Sequence, residues 1–129
     1  MTVHLDHTIV PSRDKIAAAR LLAELLGVEW SEVGLGPFAP VYVNEGLTLD
    51  FIDTDEEFPI YHFCFRVSEE EFDAILGRIK AAGIEYRSEV RGTRDSQVNR
   101  YCGGRGVYWN EPDGHQWEML TISHPRPQS

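Results

Sequence analysis

At 129 residues and 14.7 kDa, the chain is long enough for one compact domain or for two very small halves that share a core. Apolar residues make up 42% of it, enough to build that core, so general disorder is set aside. With 21 acidic and 12 basic side chains the net charge is −9, which argues against general binding of nucleic acid or anionic membrane, since both require clustered Lys and Arg.

The N-terminal stretch MTVHLDHTIVPSRDK lacks the basic-then-apolar order of a signal peptide. HLDHTIV reads as a strand, and Ser12–Leu26 as a helix closed by Gly27, with an apolar stripe at Ala18, Leu21, Leu22 and Leu25. The run IAAARLLAELLG inside it is broken by Arg20 and Glu24 and is too short to span a bilayer. A soluble cytoplasmic protein is therefore expected. Val41–Ile52, VYVNEGLTLDFI, follows as strand, turn and strand. An acidic stretch over 53–59, ending at Pro59, reads as a junction.

IYHFCFRV then reads as a second strand, and Glu69–Ala82 as a second helix closed by Gly83. Its stripe is Phe72, Ile75, Leu76 and Ile79, and Ser68 with Glu71 forms a capping box. Residues 87–105 carry five arginines against two acids. Glycines at 103, 104 and 106 suit a mobile surface loop, while the arginines, including Arg100 and Arg105, suit a gate that holds an anionic substrate. Val107–Leu120, VYWNEPDGHQWEML, closes the pattern with a PDG turn. His115, just past that turn, is expected to be exposed.

These elements repeat. Each half runs strand, helix and about three strands, and both end on VY-x-NE, a glycine turn, and an acid four residues after that glycine. The units are placed at about 3–53 and 60–122, folded together as one domain over 1–129. The repeat matches His7 with His62, Asp50 with Glu118, and Tyr42 with Tyr108. Strand alternation puts Ile60, His62, Cys64 and Arg66 on the face opposite Tyr61, Phe63, Phe65 and Val67, and sets Asp50 and Glu118 opposite their apolar neighbours. Alternation does not place His7, because Val3, Leu5 and Ile9 share its parity. Tyr42 is expected to pack beside the sheet, whereas Tyr108 could pack or bind a ligand. Cys64 could line a cavity or act as a small apolar residue.

A lone strand histidine is more often structural than ligating, but two matched His–acid pairs weigh the other way. Two imidazoles and one carboxylate make a facial triad for a divalent ion such as Fe, Mn, Ni, Co or Zn, and a second carboxylate would close the shell further.

With LDHTIV before the first helix, YHFCFRV before the second and VYWNEPDGHQWEML at the end, the chain resembles the vicinal oxygen chelate superfamily over roughly residues 3–122. That superfamily includes glyoxalase I, bleomycin-resistance proteins, fosfomycin-resistance enzymes and extradiol dioxygenases. The resemblance implies an α+β fold in which two βαβββ units form a cupped mixed sheet around one divalent metal. It implies His7, His62 and Glu118 as metal ligands, and puts Asp50 where glyoxalase I carries a glutamate ligand, as a further ligand or general base. The last segment also resembles the end of the extradiol signature, but no histidine stands near Arg100, Tyr101 and Cys102, and there are two units where four are usual.

The implied function is a metal-dependent lyase, isomerase or dioxygenase acting on a small oxygen-chelating substrate, with Tyr108, Arg100, Arg105 and Cys64 as candidate substrate contacts. The alternative is a metal-free binding or drug-sequestering protein of the bleomycin-resistance type. The resemblance also implies a homodimer.

Overall fold

The structure is a computed structural model and describes residues 2–127. The chain divides into two compact units, 1–59 and 60–129. Among the described residues, no helix is long and apolar enough to cross a membrane.

In the first unit, β1 (His7–Ser12) leads into α1 (Lys15–Leu26), followed by β2 (Glu29–Trp30), β3 (Ala39–Asn44) and β4 (Leu47–Asp53). The sheet order is β1-β4-β3-β2. β1 runs parallel to β4, with His7 opposite Thr48 and Ile9 opposite Asp50, and the other pairings are antiparallel. The helix starts later than the periodicity suggests. Ser12 closes β1, and its Oγ accepts from the Asp14 N–H. Asp14 is the N-cap, its carboxylate accepting the Ala17 N–H at 3.1 Å. Gly27 ends the helix at φ 74°. The buried stripe is Ala19, Leu22, Ala23 and Leu25, turned slightly from the expected one. It packs with Val10, Val41, Leu49 and Phe51 in a core where each is at most 3% exposed.

The second unit repeats this plan. β5 (His62–Arg66) leads into α2 (Glu69–Ala81), then β6 (Tyr86–Arg87), β7 (Gly106–Asn110) and β8 (Gln116–Leu120), with a short 3-10 turn at Tyr101–Gly103. The order β5-β8-β7-β6 matches the first sheet position for position, with β5 parallel to β8. Each unit is thus βαβββ, and the fold class is α+β.

The Ser68–Glu71 capping box is formed in both directions. Ser68→Ala is expected to cost about 1 kcal/mol of stability, read as a lower urea midpoint at unchanged slope. Phe72, Ile75 and Ile79 bury one face of α2, and Val107, Trp109, Trp117 and Met119 complete the core of this unit. Trp117 stacks on Phe63 at 5.2 Å and on Phe65 at 5.9 Å, so the aromatic face of β5 is anchored by β8.

Candidate functional site

Pairing register decides which side chains share a face, because directly opposed residues on neighbouring strands point the same way. In the second unit His62 lies opposite Gln116, Cys64 opposite Glu118, and Tyr108 opposite Glu118. His62, Cys64, Tyr108 and Glu118 therefore occupy one face, away from the Trp117 core. His62 Nε2 lies 2.9 Å from Glu118 Oε1, and the Glu118 side chain is only 9% exposed. The Tyr108 ring meets the His62 ring edge-on at 6.0 Å.

The buried Glu118 carboxylate shapes its neighbours. The Cys64 thiol is pushed up to about 12, first by desolvation and then by the Glu118 charge. The Tyr108 hydroxyl is likewise pushed up to about 12 by burial and by Glu118. Both stay protonated at neutral pH, so Cys64 is no thiolate nucleophile there and Tyr108 is a hydrogen-bond donor.

In the first unit the same register places His7, Ile9, Thr48, Asp50 and Tyr42 on one face. This settles the parity of β1. Val10 and Ser12 turn into the core, whereas His7 and Ile9 face outward. The expected packing of Tyr42 is corrected: it is 43% exposed, because its strand position lies on the outward face. His7 Nδ1 lies 2.8 Å from the Asp6 carboxylate. That hydrogen bond holds the imidazole above its usual value, with a smaller contribution from Asp50.

The described residues bring together two of the sequence-derived ligands, His62 and Glu118. Among them no group of three or more His, Cys, Asp or Glu is gathered closely enough to hold a metal. The pair itself fits such an ion. At 2.9 Å the two side chains are hydrogen-bonded to each other, and they offer one imidazole nitrogen and one carboxylate oxygen as donors.

The arginine-rich segment is tied to its own unit. Arg87 is buried and donates to Asn110 Oδ1 and the Val90 carbonyl. Arg94 pairs with Glu85. Arg105 is held by Glu69 at 3.1 Å and Asp73 at 2.8 Å, and its guanidinium lies over the Phe72 ring. It is thus engaged by α2. Arg100 is exposed ahead of the 3-10 turn. The loop is pinned by Asp95, which accepts from the Ser88 hydroxyl and N–H, and by Tyr101, whose hydroxyl donates to Glu89.

His115 is not exposed as expected. It is fully buried, because its Nδ1 accepts the Tyr61 N–H and its ring stacks on Tyr61. Beside it, Glu111 is pushed up to about 7, chiefly by burial. Its raised value means that stability falls as pH rises from 4.5, its ordinary value, through about 7. Glu111→Gln is therefore expected to raise stability at pH 8 by on the order of 1–2 kcal/mol, allowing for screening of its exposed part. The gain should vanish near pH 4, as urea melts at the two pH values would show.

Sequence reasoning passed over one residue. Arg66 shares the outward face of β5 with His62 and Cys64, and with Cys64, Glu118, Leu120, Ser123 and His124 it lines a cavity of about 300 Å³. Strand alternation already put Arg66 on this face, but without the cavity nothing marked it as a site residue.

No protein-family model matches the chain. Among solved structures it is similar to oxidase ChaP-H2, at 44% identity over 96% of this chain and 97% of that one, with a TM-score of 0.91. It is similar to oxidase ChaP-H1 at 40% identity over 95% and 98%, with a TM-score of 0.88. The lactoylglutathione lyase of Agrobacterium tumefaciens, 19% identical over 94% and 95%, shares the fold at a TM-score of 0.70. The near-complete coverage at 40% identity and above shows that the chain belongs to the same family as oxidases ChaP-H1 and ChaP-H2, on a fold it shares with the lactoylglutathione lyase.

Proposed function

We propose that the chain is a divalent-metal-dependent oxidoreductase acting on a small molecule with two neighbouring oxygens. His7, His62 and Glu118 are the assigned ligands, with Asp50 as a further ligand or as general base. The observation that carries this reading is the hydrogen-bonded His62–Glu118 pair on the outward face of the second sheet, an imidazole and a nearly buried carboxylate that are both suitable metal donors. The likeness to proteins named as oxidases favours oxidation over the lyase and isomerase reactions of the wider superfamily.

His7, His62 and Glu118 would hold the ion, which when bound would supply Lewis acidity toward the substrate oxygens. The chain's own residues do the rest. His62 and Glu118 offer an imidazole nitrogen and a carboxylate oxygen from neighbouring strands, so the sheet fixes their separation. Tyr108, held protonated, donates a hydrogen bond at the Glu118 end of the site. Asp50, half-buried on the face it shares with His7, takes a substrate proton when it acts as base.

The test is metal analysis of protein purified without chelator, followed by dioxygen-consumption assays on the metal-loaded protein with a panel of catechols and 2-hydroxy ketones. About one divalent ion per chain, lost in His62→Ala, and substrate-dependent dioxygen uptake are expected. Substoichiometric metal that survives His62→Ala would sink the reading. Tight binding of the same compounds without turnover or metal would point to a sequestering protein instead.

A further inference from the structure

Among the described residues, Arg66 is the basic side chain that lines the cavity beside Glu118. Arg20, Arg94 and Arg105 each have carboxylates within ion-pair distance. Arg66 has none among the described residues, and its hydrogen-bond partner is the Ser123 hydroxyl at a long 3.5 Å. The guanidinium also lies in the same cavity as Glu118.

Its place relative to the candidate ligands follows from the strand. Cys64 lies opposite Glu118 and Arg66 opposite Leu120. One pleat, about 6.6 Å along β5, therefore separates the row holding Glu118 from the row holding Arg66. The cavity thus has a carboxylate at Glu118, an apolar wall at Leu120, and a guanidinium at Arg66 whose hydrogen bond is the long one to Ser123. A planar guanidinium of this kind matches a carboxylate, which it can bind through two parallel hydrogen bonds. His124, whose ring is met edge-on by Tyr101 at 6.4 Å, stands at the same cavity.

We propose that Arg66 is the specificity residue of this cavity, and that it selects small oxygen-chelating substrates bearing a carboxylate one ring-length from the chelating oxygens. Only the chelating end of this inference rests on the metal-dependent reading above. The anion end stands on Arg66 and the cavity alone.

The test therefore has two arms. In the first, metal-free full-length protein is titrated by NMR with benzoate and with benzyl alcohol, for the wild type, Arg66→Gln and Arg66→Lys. Benzoate is expected to shift the amide signals of Arg66, Leu120 and Ser123. Its affinity should fall about tenfold in Arg66→Gln and partly recover in Arg66→Lys, and added salt should weaken it. Benzyl alcohol should be insensitive to either substitution. Equal benzoate affinity in wild type and Arg66→Gln, no benzoate binding, or shifts confined to another surface would overturn the proposal.

In the second arm, Mn(II)-loaded protein is titrated with catechol and with 3,4-dihydroxybenzoate. A preference for the latter that disappears in Arg66→Gln supports the proposal. Failure to take up Mn(II) while Arg66-dependent benzoate binding persists overturns the metal reading and upholds the anion site. Mn(II) and catechol binding without any carboxylate preference overturns the anion site and leaves the metal reading standing.

Discussion

Replacing Glu118 with glutamine is expected to lower divalent-metal affinity by about two orders of magnitude or more, and His62→Ala to do the same. Loss of outer-shell partners alone costs about 10–100-fold in metal sites, and these two residues are assigned to the inner shell. Glu118 is the stronger case, because it supplies the charge, is nearly buried, and is fixed between β5 and β7 by its pairing with Cys64 and Tyr108. The amide keeps its shape and removes only the charge. The consequence is also visible without turnover. An ion at 100 times its dissociation constant stabilises the folded state by about 2.7 kcal/mol, so added metal should raise the melting temperature of the wild type by several degrees and leave Glu118→Gln almost unmoved. Equal metal-induced stabilisation of both proteins would remove Glu118 from the ligand set.

Trp117→Ala is expected to cost about 3–5 kcal/mol, the range for removing a fully buried aromatic side chain. Trp117 is 1% exposed, lies opposite Trp109 across the β7–β8 pairing, and stacks on Phe63 and Phe65 of β5. The loss is thus felt on both neighbouring strands. Urea unfolding should show a midpoint lowered by roughly 2 M, given a slope of about 2 kcal/mol/M for a chain of this size. Trp117→Phe, which keeps a ring between the two phenylalanines, should cost much less. Because Trp117 adjoins Glu118 on β8, the alanine variant is also expected to loosen metal binding, while Phe72→Ala, on the helix, should destabilise the unit without that specific effect.

The architecture was legible because its signals are local and repeated. The helices carry apolar stripes with glycine just past their ends, and the strands alternate, so the duplication and the matched His62 and Glu118 could be read directly. The parity of β1 could not. Val3, Leu5 and Ile9 are apolar and yet exposed at 86%, 68% and 47%, and alternation assigns faces only when apolar means buried. His115 escaped for the opposite reason. Its burial depends on the Tyr61 N–H, 54 residues away in sequence, which no local pattern encodes. The partners of Arg105, Glu69 and Asp73, were not legible either, because they lie on a helix more than 30 residues earlier. The start of α1 moved by a few residues because Asp14, rather than Ser12, makes the cap, whereas α2 starts at Glu69 as expected.

In each unit the first strand lies parallel to the last, and this has a kinetic consequence. His62 and Glu118 are 56 positions apart in sequence, and they meet only when β5 and β8, the ends of the βαβββ run, zip together. Such long-range parallel pairing is slow, because the loop must close before its contacts repay the entropy. The candidate site is therefore assembled at the last join in its unit. An ion bound across that join would act as a clasp on the largest loop, slowing unfolding more than it speeds folding.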